Sequence, residues 1–253
     1  MLALDFRFDG SVVTVNLPNR QALFHAVTAR FASKQGFAVA TINLDHLVKL
    51  ARSAAFRRAY CAQDMVVADG NPIVWLSRLA GHPVSLVHGS DLVVPLAQLA
   101  AQSGVRVGLV GSTDTALALA ADRLRALVPG LDVALCIAPP FGFDPEGAGA
   151  EGILTELSVA NIGLCLIALG APKQEIFAAR GRVLTPQIGF ASVGAGLDFL
   201  AGHQTRAPKW VRKLAMEWVW RMLSDPRRLI PRYAACLAIL PGQAIAAVRQ
   251  RRE

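Results

Sequence analysis

Six short apolar runs recur along the sequence, and none of them alternates regularly between apolar and polar residues. A strand that is apolar on both faces is buried on both faces, which is typical of a parallel sheet covered by helices. A β-prone segment, SVVTVNL (11–17), precedes them, and patterns with helical periodicity separate them. The sequence therefore predicts an α/β fold, a Rossmann-like, doubly wound and mostly parallel sheet. The runs are GFAVATIN (36–43), DMVVAD (64–69), VRVGLVG (105–111), DVALCIAP (132–139), IGLCLIALG (162–170) and IGFASVGAG (188–196). The helical patterns span about 20–34, 44–60, 71–80, 91–103, 114–127, 146–159 and 173–180.

Small and polar residues follow five of these runs. In doubly wound sheets ligands bind outside the carboxyl ends of the strands, and parallel strands all end at one edge. We therefore expect these residues to form one substrate site. They are Thr41 and Asn43; Asp69 and Gly70; Gly111 and Ser112; Gly170, Ala171, Pro172, Lys173 and Gln174; and Gly196 within 194–198.

Asp69 lies between an apolar run and a helical pattern. Asp is a common helix N-cap, so position alone favours a capping role. A carboxylate at a strand end beside a ligand crevice is also a candidate general base for a hydroxyl nucleophile. Both roles stay open at this point.

Two turns are candidates for binding an anion or a sugar. In GAPKQE (170–175) the backbone N–H groups at a helix start favour an anion and the Gln174 amide can bind a sugar or base, although an ordinary strand-to-helix turn is an equal alternative. VGLVGST (107–113) ends in a Gly turn that could cradle a phosphate. It matches neither the dinucleotide fingerprint nor the P-loop.

The residue patterns predict no metal and no cofactor. The sequence contains no D-x-D, and its five histidines show neither H-x-x-H nor H-E-x-x-H spacing. Asp144 and Glu146 are better explained as a loop and a helix start. His46, near Thr41, is more often a local hydrogen-bond partner than a ligand. The four cysteines form no C-x-x-C pair, so we expect buried thiols in a reducing compartment.

The positive charge is concentrated near the C-terminus. The formal net charge is +8, and residues 203–253 hold 11 Lys and Arg against three acidic residues. Such asymmetry predicts a polyanionic partner, which is a phosphorylated ligand, an anionic membrane surface or nucleic acid. We therefore divide the chain into a Rossmann-like domain, residues 1–202, and a basic, Trp-rich helical appendage, residues 203–253.

The stretch 208–223 has the pattern of a helix opened by Pro208, with an apolar stripe beside a basic face. A helix packed on the body explains the stripe. The density of Arg together with Trp is more typical of a helix that lies in the headgroup layer of a membrane. We predict membrane contact through Trp210, Trp218 and Trp220, with a second basic group at Arg227, Arg228 and Arg232.

No run reaches the roughly 18 consecutive apolar residues that cross a bilayer, because Pro241 interrupts the uncharged run after Arg232. The N-terminus has early acidic residues and lacks the cationic start of a secretory signal. We therefore expect a cytoplasmic protein that lies peripherally on the inner face of the cytoplasmic membrane.

Several longer motifs, in order over about 190 residues, resemble the WecG/TagA/CpsF family of bacterial glycosyltransferases. The last three motifs are highly specific. They are TINLDHL (41–47), ADGNPIVWLSRLAG (68–81), GSDLV (89–93), LGAPKQE (169–175), VGAGLDFLAG (193–202) and RAPKWVRKLAMEWVWRMLSDPRRL (206–229).

The resemblance implies an inverting, metal-independent transfer of a hexose from a UDP-sugar to a sugar on a polyprenyl diphosphate, in the synthesis of exopolysaccharides and other cell-surface polysaccharides. It implies that Asp69 is the general base and that Thr41, Asn43 and Gln174 line the pocket. It also implies that the appendage contacts the membrane and supplies arginines that neutralise the departing UDP, namely Arg221 and Arg228, with Arg227 and Arg232 nearby. Family members often self-associate, so a homo-oligomer is expected as a possibility.

The chain departs from the family pattern at two places. Ala68 replaces the usual Pro before Asp69, and VSLVHGSDL (84–92) has Leu86 and His88 where the family commonly has an Arg. The donor sugar therefore stays open among glucose, galactose and N-acetylmannosamine.

Two other classes of function compete with this interpretation. A nucleic-acid-binding module would use the basic, Trp-rich appendage and would need no substrate pocket. We favour the membrane surface and expect no nucleic-acid partner. A dehydrogenase is disfavoured because G-x-G-x-x-G is missing.

Overall fold

A computed structural model of the chain describes residues 3–202, 222 and 226–252. Its strands are β1 (Leu4–Phe8), β2 (Ser11–Val15), β3 (Phe37–Ile42), β4 (Met65–Ala68), β5 (Val107–Gly111), β6 (Val133–Ile137), β7 (Leu164–Ala168) and β8 (Gly189–Ser192). Its helices are α1 (Arg20–Ala32), α2 (Leu44–Arg52), α3 (Ala54–Cys61), α4 (Asn71–Leu79), α5 (Val93–Gln102), α6 (Asp114–Leu127), α7 (Ala148–Val159), α8 (Lys173–Leu184), α9 (Gly196–Leu200) and α10 (Pro226–Gln250).

The six strands β3 to β8 form one parallel sheet in the order β4-β3-β8-β7-β5-β6. The chain leaves β3 toward one edge and leaves β5 toward the other, so the sheet is doubly wound. All six strands coincide with the apolar runs of the sequence. The predicted fold class is confirmed.

Apolar side chains cover both faces of the sheet, as the uninterrupted runs require. On one face, Val39, Leu109 and Leu166 pack with α1, α5 and α6. On the other, Cys165 and Phe190 pack with α7 and α8. The strand β3 is buried along its whole length, which explains why its sequence shows no polar alternation.

Two features of residues 3–61 differ from the sequence prediction. The hairpin of β1 and β2 turns at Asp9 and Gly10, and only its second strand was foreseen. The helical pattern 44–60 is two helices, because Ser53 has an extended backbone that ends α2 while its Oγ accepts a hydrogen bond from Phe56 N and caps α3. A Ser at such a break is a better helix cap than a helix interior residue.

The C-terminal helix α10 corrects the expectation that Pro241 interrupts the last apolar run. Pro231 and Pro241 lie inside the helix and are exposed, so water can hydrogen-bond the carbonyl groups that they leave unpaired. Within α10, Leu229–Gln250 is long and apolar enough to cross a membrane by length and composition alone. This finding contradicts the prediction that no segment of the chain is long and apolar enough to cross a membrane.

One side of α10 packs against α2 and α4. Cys236 and Ala247 are buried in the same apolar cluster as Ile42 and Leu47. The opposite side is exposed and apolar at Ile230, Leu237, Ile245 and Val248. The helix therefore presents an uncovered apolar stripe while it is held on the body. The division of the chain at residues 202 and 203 stays a prediction.

Candidate active site

The predicted rim residues come together at the carboxyl edge of the sheet. Thr41 is the last residue but one of β3, and Asp69 directly follows β4. The Asp69 N–H donates to the Ile42 carbonyl at 2.8 Å, which holds the ends of these two strands side by side. Thr41 Oγ1 lies 3.5 Å from Asp69 Oδ2, at the outer limit of a hydrogen bond.

Asp69 does not cap the following helix. Gly70 is the N-cap of α4, with φ of 100°, and no side chain makes the capping hydrogen bond there. The carboxylate points instead to Thr41 and to His88, whose Nδ1 lies 2.9 Å from Asp69 Oδ1. The structure therefore removes the capping role and leaves a positioned carboxylate at the rim.

Asn43 lies beside Gly70, since a Cβ built on Gly70 would be 3.9 Å from Asn43 Cβ. Its Oδ1 accepts the His46 N–H at 3.0 Å and so caps α2. The amide nitrogen of Asn43 is the part of this side chain that can donate to a ligand.

The buried side chains of His46 and Tyr60 support the end of β3. His46 Nδ1 lies 2.7 Å from the Tyr60 hydroxyl, which donates to the Thr41 carbonyl at 2.9 Å. Burial lowers the pKa of His46 to about 4, so the imidazole is neutral at physiological pH. His46 is thus a local structural partner, as the sequence suggested.

Gly111 and Ser112 form the turn after β5. Gly111 has φ of 119°, and a Cβ there would lie 2.4 Å from the Ala168 carbonyl oxygen, so only Gly fits between β5 and β7. The Ser112 N–H donates to Ala168, and its hydroxyl hydrogen-bonds the Asp198 carboxylate. With a carboxylate beside it, this turn favours sugar hydroxyl donors over phosphate oxygens.

Asp198 belongs to the segment 194–198, which the sequence placed on the rim, and it is a candidate site residue beside Gly196. It lies in α9, within the motif VGAGLDFLAG that the family resemblance also uses. In the same segment Gly196 packs closely on the chain at residue 90, because a Cβ on Gly196 would lie 3.1 Å from Ser90 Cα. The signal for Asp198 was its place after the last strand run.

The turn 170–175 lies where the sequence predicted, after β7. Gly170 has φ of 70°, Pro172 is the N-cap of α8, and the Ala171 carbonyl accepts a hydrogen bond from Lys49 Nζ at 3.1 Å. Gln174 is buried, and its Nε2 donates to Glu175 Oε1 at 2.8 Å. In this conformation the Gln174 amide faces the interior below the rim.

Glu175 is fully buried, and burial raises the pKa of its carboxyl to about 7, although the hydrogen bond from Gln174 acts in the opposite direction. Its Oε2 has no hydrogen-bond partner among the described residues. The carboxyl of the last residue in the predicted GAPKQE turn therefore changes charge near neutral pH.

We expect this carboxyl to make the protein less stable as the pH rises. An unfolded glutamate ionises near pH 4.5, whereas the folded group keeps its proton until about pH 7. The free energy of unfolding should fall by about 3 kcal/mol across that window and level off above it. Denaturant unfolding at pH 5 and pH 8 should show this loss in the wild type and its absence in Glu175→Gln. The exposed Glu156→Gln is the matched control, and equal pH dependence in both variants would contradict the assignment.

In the described part of the C-terminal region, Arg232 forms an ion pair with Asp45 of α2. Its Nε lies 2.9 Å from Asp45 Oδ1, and Lys49 Nζ lies 2.8 Å from Asp45 Oδ2. These groups border a cavity of about 400 Å³ between α2 and α10, which Pro172 also lines. Arg232 thus connects α10 to α2, the helix that Asn43 caps.

The other predicted residues of the C-terminal region are only partly described. Arg227 is an exposed residue of α10. The side chain of Arg228 lies outside the described residues, as do Arg221 and the tryptophans Trp210, Trp218 and Trp220. The predicted helix 208–223 also falls outside them, apart from residue 222. Across residues 3–202, 222 and 226–252, no group of three or more His, Cys, Asp and Glu side chains could hold a metal ion.

A doubly wound sheet with a positioned carboxylate at its carboxyl edge defines a Rossmann-like α/β protein, and in this fold ligands bind at that edge. The chain belongs to the glycosyl transferase WecG/TagA/CpsF family, whose family model matches residues 11–253. It is 26% identical over 220 residues to the N-acetylglucosaminyldiphosphoundecaprenol N-acetyl-β-D-mannosaminyltransferase of Bacillus spizizenii. That alignment covers 84% of this chain and 83% of the relative. The protein is therefore a glycosyltransferase, and the family resemblance of the sequence motifs is confirmed.

Proposed function

We propose that the protein transfers a hexose from a UDP-sugar to a sugar on a polyprenyl diphosphate, with inversion at the anomeric carbon. The observation that carries this proposal is the Asp69 carboxylate, which makes no capping hydrogen bond to its neighbouring helix and lies at the carboxyl edge of the sheet with 23% of its side chain exposed. The Bacillus spizizenii relative is named for a diphosphoundecaprenol-linked acceptor, which supports a lipid-linked acceptor here.

The proposed reaction uses the Asp69 carboxylate as a base and displaces UDP from the sugar in a single step. Asp69 takes the proton of the acceptor hydroxyl, and the oxygen forms a bond to the anomeric carbon as the bond to the UDP oxygen breaks. A single displacement inverts that carbon. Thr41 and the Asn43 amide lie on the same rim and can orient the sugar hydroxyl groups.

The departing UDP needs positive charge. On the basis of the family resemblance we assign this role to arginines of the C-terminal region, Arg221 and Arg228, with Arg227 and Arg232 nearby. A guanidinium beside the diphosphate stabilises the charge that develops as the bond breaks. The proposed reaction requires no divalent metal.

The donor sugar is one of three. The relative is named as an N-acetylmannosaminyltransferase, which supports UDP-N-acetylmannosamine. UDP-glucose and UDP-galactose stay candidates because Leu86 and His88 replace the family's usual Arg near the GSDL motif. The carboxylate of Asp198, next to Ser112, suits the hydroxyl groups of a ribose or hexose.

The exposed apolar stripe of α10 supports a peripheral position on the cytoplasmic membrane, on its inner face. It carries Ile230, Leu237, Ile245 and Val248. Basic residues follow it at Arg249, Arg251 and Arg252, where they can meet anionic headgroups. Such a position brings the rim to the surface that holds a lipid-linked acceptor of a cell-surface polysaccharide.

The test is UDP release by the full-length protein with a detergent-solubilised polyprenyl-diphosphate-N-acetylglucosamine acceptor in EDTA. We expect acceptor-dependent release with one of UDP-N-acetylmannosamine, UDP-glucose and UDP-galactose. Anomeric configuration of the product, read by NMR, checks the inversion. Release that requires added Mg²⁺ would contradict the metal-independent chemistry, and no release with any donor would contradict the proposed reaction.

A further inference from the structure

His88 is held beside Asp69 by its neighbours on both sides. The Val87 N–H donates to the Ala68 carbonyl at 2.8 Å, which places the segment alongside the end of β4. On the other side Gly89 is packed against Thr41, because a Cβ there would lie 3.1 Å from Thr41 Oγ1. The His88 carbonyl accepts the Asp91 N–H at 3.0 Å and starts a short helical turn. The backbone of His88 is therefore fixed at the site.

The side chain of His88 then meets one particular oxygen of Asp69. Nδ1 lies 2.9 Å from Oδ1, a normal hydrogen-bond length. An ionised carboxylate can only accept, so the shared proton belongs to Nδ1 of the imidazole. The contact at the other oxygen, from Thr41 Oγ1 to Oδ2, is 3.5 Å long and correspondingly weak.

We propose that His88 is a positioning residue for the transfer reaction, which fixes the Asp69 carboxylate through Oδ1 and leaves Oδ2 to take the proton of the acceptor hydroxyl. This inference rests on the proposed function. Without the imidazole the carboxylate can rotate, and the oxygen that receives the proton is no longer aimed at the acceptor. Proton transfer depends steeply on such geometry, since a misplacement of about 1 Å can cost roughly 100-fold in rate.

Comparing His88→Ala with His88→Asn distinguishes the effect of losing the hydrogen bond from the effect of losing the imidazole ring. His88→Ala should lower kcat by roughly ten- to a hundred-fold and change the KM for the UDP-sugar by less than about two-fold, because the donor sugar is still bound. His88→Asn keeps an N–H donor near the position of Nδ1 and should recover most of the lost kcat. His25→Ala, on the exposed side of α1, is the control.

A double variant tests whether His88 acts through Asp69. If it does, His88→Ala should cause little further loss in an Asp69→Asn background. An equal fold-loss in both backgrounds, or a kcat of His88→Ala within about two-fold of the wild type, would overturn the assignment. A drop in thermal stability without a change in kcat would likewise reduce His88 to a structural residue.

A spectroscopic measurement keeps this inference separable from the proposed reaction. Imidazole ¹⁵N NMR of the full-length protein should show the Nδ1-protonated form of His88, and Asp69→Ala should remove that preference. An Nε2-protonated neutral His88 in the wild type would overturn the inference whatever the reaction. Absence of transfer by the wild type with every donor would refute the proposed function, and the His88 role in it, even with the Nδ1–H signal present.

Discussion

Asp69→Asn should reduce sugar transfer by roughly 10²- to 10⁴-fold and leave the fold and UDP-sugar binding intact. Asn has nearly the same shape as Asp but cannot accept the proton of the acceptor hydroxyl at neutral pH. The change leaves the backbone hydrogen bond from residue 69 to Ile42 in place, so the β3 and β4 strand ends should stay paired. Acceptor-dependent UDP release measures the transfer, and calorimetric titration with the UDP-sugar measures the binding.

The matched control for this variant is Asp122→Asn. Asp122 is an exposed residue in the middle of α6 and pairs with Arg125. It carries the same chemical change outside the rim and should leave turnover near that of the wild type. Turnover of Asp69→Asn within about ten-fold of the wild type would exclude Asp69 as the base.

The second large effect is expected on the membrane. Replacing both Leu237 and Ile245 with Glu should weaken binding to anionic vesicles by roughly 100-fold or more, because each large aliphatic side chain contributes about 1.5–3 kcal/mol when it leaves water. The two residues are 64% and 57% exposed, so the packing of α10 on the body should survive. Vesicle flotation measures the binding, and turnover on a bilayer-embedded acceptor should fall with it.

Leu119→Glu with Leu127→Glu is the corresponding control on α6. Both residues are exposed, at 45% and 52%, and both lie on a helix that the proposal does not place in the membrane. The control adds the same charge and removes similar apolar surface. If the two double variants lost vesicle binding equally, the stripe of α10 would not be the membrane-facing surface.

The sequence predicted the sheet well because its strands are buried on both faces. A strand such as β3, buried at every position, shows no regular alternation of polar and apolar residues, and its apolar run is easy to recognise. The ends of the helices were harder to predict from the sequence. The break between α2 and α3 depends on the extended backbone at Ser53 and its contact with Phe56, which no periodicity reveals. The continuity of α10 through Pro241 depends on solvent reaching the unpaired carbonyl group.

The site was predictable in position more than in detail. Strand ends in a doubly wound sheet converge, so Thr41 and Asp69 could be placed together before their contacts were known. The choice between a capping and a free carboxylate needed the conformation of Gly70. The partnership of His88 with Asp69 joins residues 19 positions apart through a loop, and the inward turn of Gln174 toward Glu175 is decided by burial. Neither leaves a pattern in the sequence.

The sheet order sets the sequence of events during synthesis. Strand β8 lies between β3 and β7. In the pairing of β3 with β8, Phe37 lies opposite Gly189, which the ribosome adds about 150 residues later. Until then β3 can pair only with β4 and β7 only with β5, so each has one unpaired edge, and such edges are where a growing chain aggregates or needs a chaperone. The part of the rim at β3 and β4 meets the part at β5 and β7 only when β8 inserts between them, and α10 emerges afterwards. The strand ends of the rim can therefore come together before the arginines and the apolar stripe of α10 have been made.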